Sequence, residues 1–189
     1  MPFGVMLVYV AWGLYLLAFG VNHIRVRSAR RDGSPEKRIR GARASDMGLL
    51  LQFAAVALTF FIRRPAAGSL PVVLAAAVCA AVSVWLTWYS LAHLGPQWRM
   101  RAVVTSDHEL IASGPYRWVR HPVYTALLGM LAANILQFTT WEAGAAAIVV
   151  YAAGTEIRIA SEDRILGEHF PEEFPAYRTR TPSWLPPLR

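Results

Sequence analysis

The chain has 189 residues, of which 55% are hydrophobic and only 16% charged, which is too apolar for an ordinary soluble domain and leaves room for one membrane domain. A net charge of +7 is compatible with nucleic acid, but the basic residues fall in short blocks between apolar runs, where membrane orientation accounts for them. A single cysteine, Cys79, excludes an internal disulfide framework or a cysteine metal site.

Phe3 to Ile24 is an apolar run long enough to span a bilayer, with no small-residue cleavage pattern at its end, so it reads as a retained first transmembrane helix. Arg25 to Arg43 carries eight basic residues against Asp32 and Glu36, which places this loop in the cytoplasm and the amino terminus outside. Asp46 to Ile62 is a second apolar segment, and the stretch from Arg63 to Ser69 reads as a tight external turn. The third segment, Leu70 to Leu94, ends in Trp85, Trp88, Tyr89 and His93, a set suited to the headgroup boundary. Asp107, His108 and Glu109 suggest a turn, and Val103-Val104 with Leu110-Ile111 a short extended pair at the membrane surface.

The stretch Gly114-Pro115-Tyr116-Arg117-Trp118-Val119-Arg120-His121-Pro122-Val123-Tyr124 breaks the pattern. Its prolines hold a bent loop that restarts as a helix after Pro122, leaving Arg120 and His121 at the helix mouth. A planar fork of donors beside an imidazole suits a small zwitterionic ligand, while the plainer reading is a basic loop at the lipid headgroups. Val123 to Phe138 and Ala143 to Ile159 are apolar and joined by a brief link, which predicts an antiparallel hairpin packed through Gly129, Ala132, Ala133, Gly144, Ala147 and Gly154.

The fifth helix then continues into Glu156, Arg158, Glu162 and Asp163. Arg158 and Glu162, four apart, share one face. The proline-rich tail from Phe170 to Pro186 predicts a lid folded back over the cytoplasmic face. The five histidines show no i, i+4 ligand spacing, which argues against a metal site. The fold class is all-α, a polytopic integral membrane protein with about five transmembrane helices, residues 1–94 supplying three of them and residues 95–189 a cofactor-binding catalytic half. Its Ala and Arg richness suits a bacterial inner membrane, with the carboxy terminus in the cytoplasm.

The elements from Leu94 to Trp98, from Gly114 to Tyr124, and at Arg158, Glu162-Asp163, Leu166, Phe170 and Tyr177 to Arg180 resemble the isoprenylcysteine carboxyl methyltransferase family, which is related to the phospholipid N-methyltransferases. Asp163 stands where that family usually has a second Glu, Ala126 where a Gly is common, and Pro171 where Phe170 is usually followed by Gly. The resemblance implies S-adenosylmethionine bound on the cytoplasmic side by His121, Tyr124, Glu162, Tyr177, Arg178 and Arg180, with Arg120, Arg158 and Glu162 around the reacting groups. It further implies the lipid bilayer and a lipidic or prenylated methyl acceptor as partners, methylated at a carboxylate; neither nucleic acid nor metal is expected. Phospholipid amine N-methylation is an alternative within the same chemistry. A nicotinamide-dependent membrane lipid reductase is the alternative from another class, although the chain has no Gly-rich dinucleotide loop.

Overall fold

The computed structural model describes residues 2–29, 42–63, 68–95 and 109–185. Val103-Val104 of the expected extended pair and the Asp107-His108 turn lie outside these residues, as do the center of the basic loop before residue 42, most of the turn after Arg63 and most of the exit after Leu94, while Leu110-Ile111 is described and is not in a strand. Six α-helices are described: α1 (Phe3–Ala29), α2 (Ala42–Phe61), α3 (Leu70–Leu94), α4 (Pro122–Phe138), α5 (Trp141–His169) and α6 (Glu173–Arg180). The protein is an all-α polytopic membrane protein: α1, α2, α3 and α5 are long and apolar enough to cross a bilayer, and α4 is a shorter apolar helix.

Several helices outrun their apolar cores. Helix α1 carries on past Ile24 through Arg25 and Arg27, because backbone hydrogen bonding does not require apolar side chains and cations are favoured at a helix carboxy terminus. Helix α5 is continuous over 29 residues, about 43 Å at 1.5 Å per residue, so its last turns stand clear of a hydrocarbon layer about 30 Å thick. Thr140 caps its start, its side chain accepting the amide of Ala143.

The packing corrects the expected hairpin. Helices α4 and α5 touch each other, but α4 packs chiefly on α3 and α5 chiefly on α2. The small residues serve those pairs. A Cβ on Gly129 would lie 2.1 Å from Ser83 Oγ of α3, and one on Gly154 would lie 2.7 Å from the carbonyl oxygen of Gly48 in α2. Gly48 is the reciprocal case, since a Cβ there would meet Gly154 O at 2.5 Å and Arg158 Cγ at 2.7 Å. Close backbone approach of α2 and α5 thus also opens the space that Arg158 fills. Of the α5 glycines expected in the hairpin, Gly144 does face α4, against Ile135. Small residues allow close approach without naming the partner helix, and a short link brings two helices near without making theirs the larger interface.

Buried polar side chains bond between helices, as lipid offers them no alternative. Trp12 Nε1 of α1 donates to Asn134 Oδ1 of α4 at 2.9 Å, and Asn134 Nδ2 donates to Thr59 Oγ1 of α2 at 3.1 Å. Gln52 Nε2 of α2 donates to Thr155 Oγ1 of α5 at 2.9 Å. These bonds fix α1, α2, α4 and α5 around a core that includes the fully buried Met130, Leu131 and Tyr151.

Candidate active site

The loop leading into α4 is shaped by one backbone requirement. Gly114 has φ 57°, and a Cβ there would stand 2.3 Å from the His93 ring. Glycine meets both conditions, and a 3-10 turn over Gly114–Arg117 follows. Pro122 opens α4, and His121 occupies the cap position without using its side chain as a cap. The imidazole is therefore free to point elsewhere.

It points between two acids of α5. His121 Nδ1 lies 3.3 Å from Glu162 Oε2, and Nε2 lies 3.0 Å from Asp163 Oδ1. Adjacent residues on a helix diverge by about 100°, and the ring bridges that divergence by using both nitrogens. Burial alone disfavours the imidazolium, but the hydrogen bonds and charges of Asp163 and Glu162 outweigh it and raise the His121 pKa above its ordinary value.

Each acid has a second cation. Arg120 Nη2 bonds Asp163 Oδ2 at 2.8 Å, and Arg158 Nη2 bonds Glu162 Oε1 at 3.2 Å. Arg158 Nε also donates to the Tyr124 hydroxyl at 2.7 Å, and that hydroxyl donates to Glu162 Oε1. The Tyr124 ring stacks on His121, with centroids 5.5 Å apart and planes at 14°, and Arg158 Cζ lies 5.3 Å from its centroid. The i, i+4 pair of Arg158 and Glu162 is thus part of a buried network and not a surface ion pair. Removing one member of such a network leaves an uncompensated charge, typically a loss of about 3–5 kcal/mol.

The tail closes over this network as a strap. Beyond α6, the Arg120 amide donates to Pro182 O at 2.9 Å and the His121 amide to Ser183 O at 2.8 Å. Arg120 Nη1 donates to the carbonyls of Arg178, at 3.1 Å, and of Thr181. The Thr125 hydroxyl donates to Trp184 O. Tyr177 is buried, and its hydroxyl donates to Tyr116 O at 2.6 Å. Burial holds this phenol well above its ordinary pKa.

Between strap and α5 lies a cleft of about 400 Å³ lined by Arg120, Glu156, Ile159, Asp163, Arg178 and Ser183, among others. That volume falls within the roughly 300–1,000 Å³ usual for small-molecule sites. Its lining offers the guanidinium groups of Arg120 and Arg178, the carboxylates of Glu156 and Asp163, and apolar Ile159, a set able to pair with both charges of a small zwitterion. Among the described residues, no group of three or more His, Cys, Asp or Glu is placed to hold a metal ion.

The structure therefore brings together Arg120, His121, Tyr124, Arg158 and Glu162. Arg178 joins them at the edge, its Nε 3.9 Å from Asp163 Oδ2. Tyr177 packs beneath the loop, while Arg180 is exposed and its Nε bonds Ala176 O in its own helix. Sequence reasoning overlooked Glu156, Trp184 and the central part of Asp163. Asp163 was signalled by standing next to Glu162. Trp184, the one aromatic among the last prolines, gave no sign of its partner.

Two curated relatives each match about half of the chain. The uncharacterized protein YpbQ of Bacillus subtilis is 29% identical over 94 residues, covering 50% of this chain and 55% of that protein. The cobalt-zinc-cadmium resistance protein CzcN of Cupriavidus metallidurans is 35% identical over 101 residues, covering 52% of this chain and 46% of that protein. The chain thus spans about half the length of the curated relatives it matches. The model of the isoprenylcysteine carboxyl methyltransferase family matches residues 73–168, from α3 through the His121 loop to both acids of α5, and the chain belongs to that family.

Proposed function

We propose that this protein is a membrane methyltransferase that takes its methyl group from S-adenosylmethionine and transfers it to a lipidic or isoprenylcysteine-type acceptor, at a carboxylate. The observation that carries the reading is the closure of the Arg120-His121 loop onto Glu162 and Asp163 beside a cleft of small-molecule size, in a chain of this family. S-adenosylmethionine supplies an electrophilic methyl on a sulfonium.

The chain's own residues would hold, align and shield. Glu162, partly open at 21% exposure, suits the cationic amino group, and Arg178 suits the carboxylate of the same zwitterion. His121, Tyr124 and Tyr177 belong to this set through the likeness of their segments to the family. Arg180, on the outer side of α6, belongs to this set through the likeness of the Tyr177 to Arg180 segment to the family. Arg120 and Arg158 flank the reacting groups as cations that orient an acceptor carboxylate. Such an acceptor is already ionised at neutral pH, so the site needs no general base. Alignment and exclusion of water are then the main sources of rate. In this reading residues 1–94 form the membrane scaffold, residues 95–189 the catalytic half, and the site opens to the cytoplasm.

The test uses the purified full chain in liposomes. Transfer of tritium from labelled S-adenosylmethionine to N-acetyl-S-farnesylcysteine is expected, with calorimetric binding of S-adenosylhomocysteine. Labelling of phosphatidylethanolamine in its place moves the acceptor to an amine. Binding of NADPH with no response to either adenosyl ligand overturns the reading in favour of a reductase.

A further inference from the structure

Glu156 and Trp184 stand outside the ion network, yet they are joined to each other. Trp184 Nε1 donates to Glu156 Oε1 at 2.8 Å across 28 positions of sequence. The indole is 7% exposed and meets Tyr151 edge to face, with centroids 5.9 Å apart and planes at 62°. Tyr151 is fully buried, and its hydroxyl donates to Tyr124 O at 2.6 Å. Trp184 is therefore held from one side by α5 and from the other, through Thr125, by α4.

The burial of the indole gives the bond its weight. Glu156 is exposed and lines the cleft, whereas the Trp184 ring is buried, and an indole N–H left without an acceptor there is costly. The Glu156 carboxylate supplies that acceptor and so fixes the bulky anchor of the strap.

What the strap holds is the active loop. The two residues just before Trp184 accept the amides of Arg120 and His121, and Thr181 and Arg178 accept one arm of the Arg120 guanidinium. Without the anchor, those amides and that arm lose fixed partners, and His121 loses the backbone position from which it reaches both acids. We infer that Trp184 and Glu156 form a latch that positions Arg120 and His121 for the proposed methyl transfer. Trp184 is a positioning residue in this scheme. The inference rests on the proposed function only for its effect on ligand binding, and not for the geometry of the loop.

The experiment separates the two. In the full chain in detergent, amide hydrogen exchange at residues 120 and 121 is compared for wild type, Trp184→Phe, Glu156→Ala and Glu156→Gln. The first two variants are expected to exchange about fivefold faster or more at these amides, while Glu156→Gln, which keeps a carbonyl acceptor, stays near wild type. Affinity for S-adenosylmethionine is expected to fall about tenfold in Trp184→Phe. Glu156 is exposed, so Glu156→Ala still reports should Trp184→Phe not fold. Unchanged protection at residues 120 and 121 in Glu156→Ala overturns the latch. Lost protection in a protein whose wild type ignores S-adenosylmethionine upholds the latch and removes the methyltransferase reading.

Discussion

His121 touches Glu162 with one ring nitrogen and Asp163 with the other, at 3.3 and 3.0 Å, so a single imidazole ties together two neighbouring acids of α5. The arrangement needs a proton on both nitrogens, which gives the site a pH dependence of known sign. Because the folded pKa is raised above the ordinary 6.5, the stabilisation is fully present below about pH 6.5 and is lost as pH rises through the raised value. Thermal unfolding in detergent between pH 6 and 9 should show a falling midpoint in the wild type. His121→Gln should start lower and show a flatter profile.

Glu162→Gln is expected to weaken S-adenosylmethionine binding roughly ten- to a hundredfold, the loss of a charge-assisted hydrogen bond worth about 1.5–3 kcal/mol. Calorimetry reads it directly. Equal affinity in the variant removes Glu162 from the ligand's cationic end.

Arg120→Lys should lower turnover more than ligand affinity. The Arg120 fork spans Asp163 on one arm and the carbonyls of Arg178 and Thr181 on the other, and an ammonium has no such fixed reach. Comparing methyl-transfer rate with binding constant in the same preparation decides it. Full activity in Arg120→Lys would leave Arg120 a structural tie between Asp163 and the strap.

Gly48→Ala should destabilise the α2 and α5 pair by about 1–3 kcal/mol and displace Arg158, because its Cβ would collide with Gly154 O and Arg158 Cγ. Gly13→Ala serves as control, with nothing within 4 Å of its Cβ position and a better helix former introduced. A shift in unfolding midpoint for the first and not the second is the expected result.

Cysteines placed at the exposed Ser28 and the partly exposed Ser183 should react with an impermeant reagent from the same side of the membrane, the cytoplasmic one. Labelling from opposite sides would break the five-span arrangement.

Much of the bundle was readable from local chemistry. Apolar length marks α1, α2, α3 and α5, and the pair Pro115 and Pro122 marks the bent loop. The four-residue spacing of Arg158 and Glu162 puts them on one face whatever surrounds them. Partner choice was not readable: Gly129 and Gly154 advertise close approach but do not say to which helix, and the answer lies in Ser83 and Gly48. Nor could spacing show that Arg120 bonds its own tail, since a loop arginine facing lipid and one facing a carbonyl look alike in sequence. The Trp184 and Glu156 bond joins a proline-broken segment without periodicity to a helix 28 positions earlier. Such a contact exists only once α5 and the strap have been brought together.

The hydrogen bonds of Asn134 to Trp12 and Thr59 have a consequence for biogenesis. Helix α4 has 17 residues, about 26 Å, the short end of what spans a bilayer, and carries Asn134 and Gln137 at buried positions, where they would be costly facing lipid. Its polar partners sit on helices synthesised earlier, α1 and α2, which are already in the bilayer when α4 leaves the ribosome. Insertion in the order of synthesis thus lends α4 the partners it lacks alone, and the loop bearing His121 acquires its anchor in the membrane before the carboxy-terminal strap has been translated.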